Sequence, residues 1–220
     1  MNVCKLITHF PAGFDYLDFY LSKEQTSLGI AVYVICKQEP NQKRLEVVDD
    51  ITVYRVPSPY NFFALKELKR LNKLTTFNIV HAHATSCATY PYLRKICDGK
   101  KFVVHVHGTA RGLLRAYHQF IPRPPPRLLL QTEASLLRQA IMWRRADAII
   151  AVSDFIKEEL TKLYEIRSEK IYVVHNGVDL NLFYPRVSSM KIKSKLGVDE
   201  SSALILYLGG VLDFHVRANI

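Results

Sequence analysis

Four patterns are missing from this sequence of 220 residues, and each absence disfavours a class of protein or site. None of its four cysteines forms a Cys-x-x-Cys pair, which disfavours a disulfide framework and indicates free thiols in a reducing compartment. No Gly-x-Gly-x-x-Gly occurs, which disfavours a nicotinamide or flavin dinucleotide site. No run of 18 apolar residues occurs, and the N-terminus lacks the pattern of a signal peptide. We therefore expect a cytoplasmic protein without a membrane span.

Short apolar strand segments alternate with amphipathic helical segments along most of the chain. This alternation is typical of an α/β fold with a doubly wound parallel sheet of the Rossmann-like type. The predicted strands are Val3–Thr8, Ala31–Lys37, Ile51–Val56, Ile79–His83, Phe102–His107, Ala148–Val152 and Ile171–His175. The predicted helices are Asp15–Leu28, Phe63–Leu74, Thr85–Cys97, Leu128–Arg145 and one that Ser153 caps.

Apolar residues recur at helical spacing in four of the predicted helices. The sets at helical spacing are Leu17, Leu21 and Leu28; Leu65, Leu68 and Leu71; Leu130, Ala134, Leu137 and Ile141; and Phe155, Ile156, Leu160 and Leu163. We expect the last set to face inward.

The alternation of strands and helices breaks near residue 182. We predict a Rossmann-like domain over residues 1–183 and a linker over residues 184–202 that holds one helical turn. Residues 203–220 would then supply the first strand, Ala203–Leu208, and a fragment of a second domain. We therefore expect one complete domain and the beginning of another.

Ligands of doubly wound sheets bind at the carboxyl ends of the strands, so the residues that follow each strand are candidates. Gly13 follows the first strand and either brings backbone N–H groups close to a phosphate or sugar or forms a tight turn. Ser153 follows the sixth strand, where a helix cap is the simpler role. Asn176 and Gly177 follow the seventh strand and either shape an interdomain hinge or form an ordinary turn.

Two histidine pairs lie on neighbouring predicted strands. His81 shares a strand face with His83, and His105 shares one with His107, because side chains two apart point the same way. If the strands are adjacent, up to four imidazoles converge, which is one way to build a zinc site. No Asp, Glu or Cys lies close in sequence to complete such a site, so we expect core histidines with protein partners and no metal.

His107 differs from the other three histidines because it ends its strand. The loop that follows contains Gly108, Thr109 and Arg111, which are small residues and hydrogen-bond donors. Its position predicts a polar contact to a ligand hydroxyl or phosphate.

The formal net charge is +10, and much of the excess lies in one segment. Arg111–Arg145 carries seven arginines and one acid, Glu133, interleaved with apolar residues. Such a segment is suited to contact an anionic membrane or a phosphorylated acceptor, or else it is a solvated helix face whose arginine stems cover the core. No nucleic-acid-binding motif accompanies the charge, so nucleic acid is not an expected partner.

Taken in order, five segments resemble the retaining GT-B glycosyltransferases of the family-4 type. They are FPAGFDYLDFYLSKE with Gly13, NIVHAHAT with His83, VVHVHGT with His107, ADAIIAVSDFIKEEL with Ser153, and KIYVVHNGVDLNLFYP with Asn176 and Gly177. The resemblance covers residues 1–209 and depends on the ordered set of motifs.

The resemblance implies a two-domain enzyme whose N-terminal half mostly binds the acceptor and whose C-terminal half binds the donor. The donor would be a UDP- or GDP-sugar, and a hexosyl group would pass to a glycan or lipid-linked acceptor with retention of configuration. It implies that Gly13 contacts the donor and that His107 is the catalytic residue, which contacts the transferred sugar near the reacting carbon. No metal or other cofactor is implied.

The sequence departs from the family after Leu208. Gly210 stands where the family has an arginine, no lysine follows, and no two glutamates are eight positions apart. We therefore expect most of the donor-binding half to be missing, with a separate C-terminal-domain chain as one expected partner. The alternative function is a non-catalytic module that binds a phosphorylated or lipid-linked glycan or a partner subunit. The expected location is the cytoplasm, with peripheral contact at the inner membrane face.

Overall fold

The computed structural model describes residues 1–11, 16–83, 86, 90–93, 100–112, 114–115, 126–181, 183–184, 190–199 and 201–205. Among these residues eight strands form one sheet: β1 (Asn2–Leu6), β2 (Ala31–Lys37), β3 (Leu45–Val48), β4 (Ile51–Val56), β5 (Ile79–His83), β6 (Lys101–Val106), β7 (Ala148–Ala151) and β8 (Ile171–Val173). The helices are α1 (Tyr16–Ser27), α2 (Tyr60–Asn72), α3 (Tyr90–Leu93), α4 (Pro126–Arg145), α5 (Asp154–Tyr164) and α6 (Met190–Lys195).

The strands lie in the order β3-β4-β2-β1-β5-β6-β7-β8. From β1 the chain builds the sheet outward to β4, then returns to add β5 on the other side of β1, so the strand order reverses between β1 and β5. The pairings from β4 to β8 are parallel, which confirms the predicted doubly wound α/β sheet. Ligand clefts form at such a reversal, because the flanking connections leave in opposite directions.

The edge strand β3 corrects the prediction of an entirely parallel sheet, because it pairs antiparallel with β4. A two-residue hairpin joins them, in which Asp49 and Asp50 both have positive φ, at 46° and 62°. Asp is among the few residues that tolerate this geometry, and two such residues in succession are typical of a tight hairpin. LEVV is short and half exposed, so it lacks the apolar pattern by which the other strands are predicted.

Buried apolar side chains form one cluster on each face of the sheet. The larger cluster joins the sheet to α2, α4 and α5, and Trp143 is its largest fully buried side chain. Leu65, Leu68 and Leu71 of α2 are buried in it as their spacing predicts. The smaller cluster lies beside α1 on the opposite face and leaves part of that face to polar residues.

The apolar side of α1 does not face the sheet. Its buried residues are Asp18 and Ser22, whereas Leu17 and Leu28 are exposed. The strand beneath explains the difference, because Lys5 of β1 is completely buried on this face. A buried ammonium group needs polar partners, so the helix turns its polar side toward the sheet.

Two further helices bury polar residues, and in the second of them this corrects the predicted inward position of Phe155. In α4, Leu130 and Leu137 are 73% and 64% exposed, and Gln139 is buried instead. In α5, Phe155 is 63% exposed and Glu159 is buried, although Ile156 and Leu160 face inward as predicted. Gln139 and Glu159 bind the loop after β6, as described below, and that demand overrides the simple apolar pattern.

The remaining expectations fall partly outside the described residues. Of the predicted helix Thr85–Cys97, the structure describes helical residues at Tyr90–Leu93. The helical turn expected in the linker is present as α6. Of the predicted strand Ala203–Leu208, the described residues 203–205 are not in a strand. Within the described parts of the chain, no helix combines the length and apolar character that crossing a bilayer requires.

Candidate active site

One face of the sheet carries a polar cluster next to the reversal of strand order. Lys5 of β1 stands opposite His81 of β5, and His83 of β5 stands opposite His105 of β6. Because side chains alternate along a strand, all four project from the same face, toward α1. Their neighbours in sequence, such as Val80 and Val104, project into the larger apolar core on the other face.

The four histidines are brought together as the two pairs predict. Ring centroids are 4.5 Å apart for His81 and His83, 5.0 Å for His83 and His105, and 4.3 Å for His105 and His107. His81, His83 and His105 are at most 6% exposed, whereas His107 is exposed. Among the described residues no hydrogen-bond partner meets His81 Nε2, His83 Nε2 or either ring nitrogen of His105. At these four nitrogens the protein partners expected for core histidines are not found in the described part of the chain.

A carboxylate from α1 completes the cluster. Asp18 Oδ2 lies 2.8 Å from His83 Nδ1. Beneath it, Lys5 Nζ donates a 2.8 Å hydrogen bond to Ser22 Oγ, which in turn donates to the backbone oxygen of Asp18. Burial raises the pKa of Asp18, although Lys5 opposes the shift, and burial lowers the pKa of Lys5 to about 8 against the attraction of Asp18.

Burial also keeps the imidazoles neutral near pH 7. It lowers the pKa of His81 and His83 well below the ordinary value, and neighbouring cationic groups add to the effect. The pKa of His105 falls to about 4 through burial and then through His107. Partial burial lowers the pKa of His107, while Asp18 raises it. Neutral imidazoles each keep one nitrogen lone pair, so the cluster offers acceptors to a proton, a hydroxyl group or a metal ion.

A cavity of about 600 Å³ opens above this cluster, between α1 and residues 174–181. Asp18 and His105 contribute to its lining from the cluster. Leu17, Tyr20 and Leu21 of α1 line one side. The other side is lined by Val174, His175, Asn176, Gly177, Val178, Asp179, Leu180 and Asn181. The predicted residues Asn176 and Gly177 therefore share one cavity with the histidine cluster.

The loop after β6 is anchored by buried polar side chains. Thr109 Oγ1 accepts a 2.8 Å bond from the backbone N–H of Gly112 and donates a 2.6 Å bond to Glu159 Oε2. Gln139 Oε1 accepts from the backbone N–H of Ala110 at 2.8 Å and from Tyr164 Oη at 2.8 Å. Thr109 thus caps the helical turn that begins at Ala110 and ties it to α5, which fixes the backbone directly after His107.

The other predicted site residues have simpler surroundings. Gly108 is exposed and has open space around it. The guanidinium of Arg111 lies 5.9 Å from the ring centre of Tyr164, and its backbone N–H donates to Tyr164 Oη. Ser153 caps α5, because its Oγ accepts a 3.3 Å bond from the backbone N–H of Ile156. Gly13 lies outside the described residues.

The buried polar residues of this region that sequence reasoning missed include Lys5, Asp18 and Glu159. Lys5 could have been found, because a lysine in the centre of a strand that is otherwise apolar requires a buried partner. Asp18 and Glu159 occupy helix positions that could face either the sheet or solvent. Their buried partners are distant in sequence, so the helix pattern alone does not predict their burial.

A doubly wound sheet with a cavity and a cluster of polar groups at its carboxyl edge defines a ligand-binding α/β domain. Residues 19–182 match the model of Glycosyltransferase Family 4, and the chain belongs to that family. The fold is the Rossmann-like N-terminal domain of a GT-B glycosyltransferase, as the resemblance of the ordered motifs predicted.

Curated relatives agree with the family. The chain is 23% identical over 217 residues to a D-inositol 3-phosphate glycosyltransferase of a Nocardioides species, covering 90% of this chain and 45% of the relative. It is 22% identical over 148 residues to an alpha-maltose-1-phosphate synthase of Mycolicibacterium smegmatis, covering 66% of this chain and 36% of the relative. The chain thus spans less than half the length of these curated relatives.

Solved structures show the same fold. The sucrose-phosphate synthase of Thermosynechococcus elongatus superposes with a TM-score of 0.65 at 13% identity, over 90% of this chain and 53% of that protein. Anabaena HepE, solved in complex with UDP-glucose, superposes with a TM-score of 0.58 at 16% identity, over 90% of this chain and 50% of that protein.

Proposed function

We propose that this chain supplies the acceptor-binding half of a retaining glycosyltransferase that uses a UDP- or GDP-sugar. In the reaction, the bond between the sugar's anomeric carbon and the donor diphosphate breaks. A bond from that carbon to an acceptor oxygen forms, and the acceptor's hydroxyl proton leaves with the nucleoside diphosphate. The observation that carries the proposal is the cavity beside the histidine cluster, at the strand-order reversal of a family-4 domain.

The cavity is suited to a sugar-like acceptor. Tyr20 and Leu17 offer apolar surface to the face of a ring, while Asp18 and Asn176 offer hydrogen-bonding groups to its hydroxyls. His107 is exposed at the edge of the cluster, where a donor sugar held by a second domain would meet the acceptor. We assign it the catalytic contact near the reacting carbon.

The remaining predicted residues take binding roles in this proposal. His83 supports His107 from within the cluster, their rings lying 6.0 Å apart. Gly108, Thr109 and Arg111 form the loop that approaches the donor, and Gly177 leaves room beside the acceptor. Gly13 would bring backbone N–H groups to the donor phosphate or sugar, and Ser153 would act at the cleft as well as capping α5. The reaction itself would need no metal or cofactor, because helix N-termini and basic side chains neutralise the leaving diphosphate.

The test is nucleoside diphosphate release from UDP- and GDP-sugars by the chain co-expressed with a family donor-binding domain. We expect His107→Ala to lower kcat by about 100-fold or more, in the range of removing one transition-state contact. His9→Ala is the matched control, because His9 is a part-exposed histidine paired with Glu39 and has no assigned role. Full activity of His107→Ala would refute the role of that residue. Binding of a glycan without any transfer would favour the alternative, a non-catalytic module.

The exposed side of α4 supports a membrane contact for the Arg111–Arg145 segment. Leu130 and Leu137 stand seven residues apart, on one side of the helix, with Arg127 and Arg138 beside them. An apolar stripe flanked by cations is suited to the surface of an anionic bilayer, with about 1 kcal/mol contributed by each basic residue. We infer a cytoplasmic protein that docks on the inner membrane face through this stripe, close to a lipid-linked acceptor.

Sedimentation with vesicles tests this contact. We expect binding to vesicles that contain phosphatidylglycerol and not to pure phosphatidylcholine, with a loss of about 10-fold or more in Leu130→Ser/Leu137→Ser. Leu45→Ser is the matched control, because Leu45 is an exposed leucine on the sheet edge. Equal binding by the double variant and the control would contradict the proposal.

A further inference from the structure

The buried histidines lack the hydrogen bonds that would make them ordinary core residues. His81 Nε2, His83 Nε2 and both ring nitrogens of His105 have no hydrogen-bond partner among the described residues. Each buried polar atom without a partner destabilises the folded state, so four such atoms in one cluster are unfavourable unless a ligand meets them. Because each neutral imidazole keeps one nitrogen lone pair, we expect a group outside the described protein atoms to meet these lone pairs.

The donor set matches a transition metal. One nitrogen from each of the three histidines can be chosen so that all lie within 4.8 Å of one another. Around a tetrahedral ion with bonds of about 2.0–2.1 Å, ligand atoms are about 3.4 Å apart, so ring movements of about an ångström close the site. Neutral imidazole is the form that binds metals, and it suits zinc and its neighbours among the divalent ions.

The carboxylate of Asp18 lies where the partner of a metal-binding histidine is expected. A histidine that binds a metal through one nitrogen usually presents the other to a carboxylate. Asp18 Oδ2 lies 2.8 Å from His83 Nδ1, which leaves His83 Nε2 for the ion. The carboxylate also compensates the positive charge of Lys5 in the same buried region.

We propose that His81, His83 and His105 bind a divalent transition metal ion such as Zn²⁺, with Asp18 holding His83 in position. The ion ties β5 to β6 beneath α1 and lies directly below the cavity. It is independent of the proposed sugar transfer, and its role is to satisfy and rigidify the floor of the site.

The experiment uses the whole 220-residue chain, freed of any affinity tag and treated with EDTA. Calorimetry with Zn²⁺ measures stoichiometry and affinity, and the visible spectrum with Co²⁺ reports nitrogen coordination. We expect one ion per chain, Co²⁺ absorption typical of a tetrahedral site, and a higher melting temperature with Zn²⁺. Asp18→Asn should weaken binding by about 10- to 100-fold, as for other carboxylates behind a ligand histidine. His105→Ala should weaken it by more than about 100-fold.

His9→Gln is the matched control and should bind as the unchanged chain does, because His9 lies outside the cluster and pairs with Glu39. Circular dichroism shows whether His105→Ala keeps its fold, and His81→Ala provides a second ligand variant. Failure of the unchanged chain to bind either ion would overturn the proposal. So would uptake that neither ligand variant diminishes. Neither result depends on transferase activity, so the metal site and the proposed function stand or fall separately.

Discussion

Replacement of Thr109 by valine should destabilise the protein far more than a surface threonine would. The hydroxyl makes two buried bonds, one from the backbone N–H of Gly112 at 2.8 Å and one to Glu159 Oε2 at 2.6 Å. Loss of the helix cap costs about 1 kcal/mol. Loss of a charge-assisted bond to a carboxylate that is only 4% exposed costs about 1.5–3 kcal/mol more. Valine nearly preserves the volume, so the expected loss of about 2.5–4 kcal/mol belongs to the hydroxyl.

Urea unfolding measures this loss as a lower midpoint at unchanged slope. Thr161→Val is the matched control, because the hydroxyl of Thr161 is partly exposed and donates to the backbone oxygen of Lys157 in its own helix. It should change the free energy of unfolding by less than about 0.5 kcal/mol. In a double-mutant cycle, Thr109→Val and Glu159→Gln should show a coupling of about 1 kcal/mol or more. If Thr109→Val is no less stable than Thr161→Val, the buried network does not anchor this loop as described.

Two further predictions concern close contacts in the same regions. A Cβ on Gly112 would lie 3.0 Å from Glu159 Oε2 and 3.1 Å from Thr109 Oγ1, so Gly112→Ala should lower the unfolding free energy by about 1–2 kcal/mol. Gly108→Ala is the stability control, because a Cβ at Gly108 meets open space. Equal unfolding free energies for the two variants would show that Glu159 and Thr109 move aside without cost. Lys5→Met leaves Asp18 without its buried cation and should cost about 3–5 kcal/mol in urea unfolding. Adding Asp18→Asn should restore a large part of that loss, whereas additive losses would show that the two charges do not compensate each other.

The sheet could be predicted from the sequence because buried parallel strands are marked by short runs of apolar residues. β2, β4 and β5 were predicted with the bounds that the structure shows. The edge strand β3 was not, since an exposed antiparallel strand has no such run, although its Asp49-Asp50 turn carried a signal. β1 and β8 each end two residues earlier than predicted. The last residue of a strand depends on pairing with the neighbouring strand, which the sequence pattern does not show.

The candidate site could be predicted only in part. Chain order and spacing identified the histidine strands, and adjacency of β5 and β6 brings the two pairs together. The burial of Asp18 beside His83 could not be predicted from helix spacing, because it follows from a lysine on a different element. Likewise, the burial of Glu159 depends on Thr109, fifty residues earlier in the chain. The specific roles of His107, Asn176 and Gly177 stay predictions until the activity measurements are made.

On α1 the apolar residues that line the cavity are different from the residues that face the sheet, although Asp18 both faces the sheet and lines the cavity. Asp18 and Ser22 hold it to the sheet, while Leu17 and Leu21 line the cavity and contribute little to the core. Substitution of the cavity-lining positions can therefore reshape the space for a ligand at small cost in stability. Changes at the sheet-facing positions must be matched by changes in Lys5 or the histidines. Divergence in ligand preference thus has an accessible route through one side of a single helix.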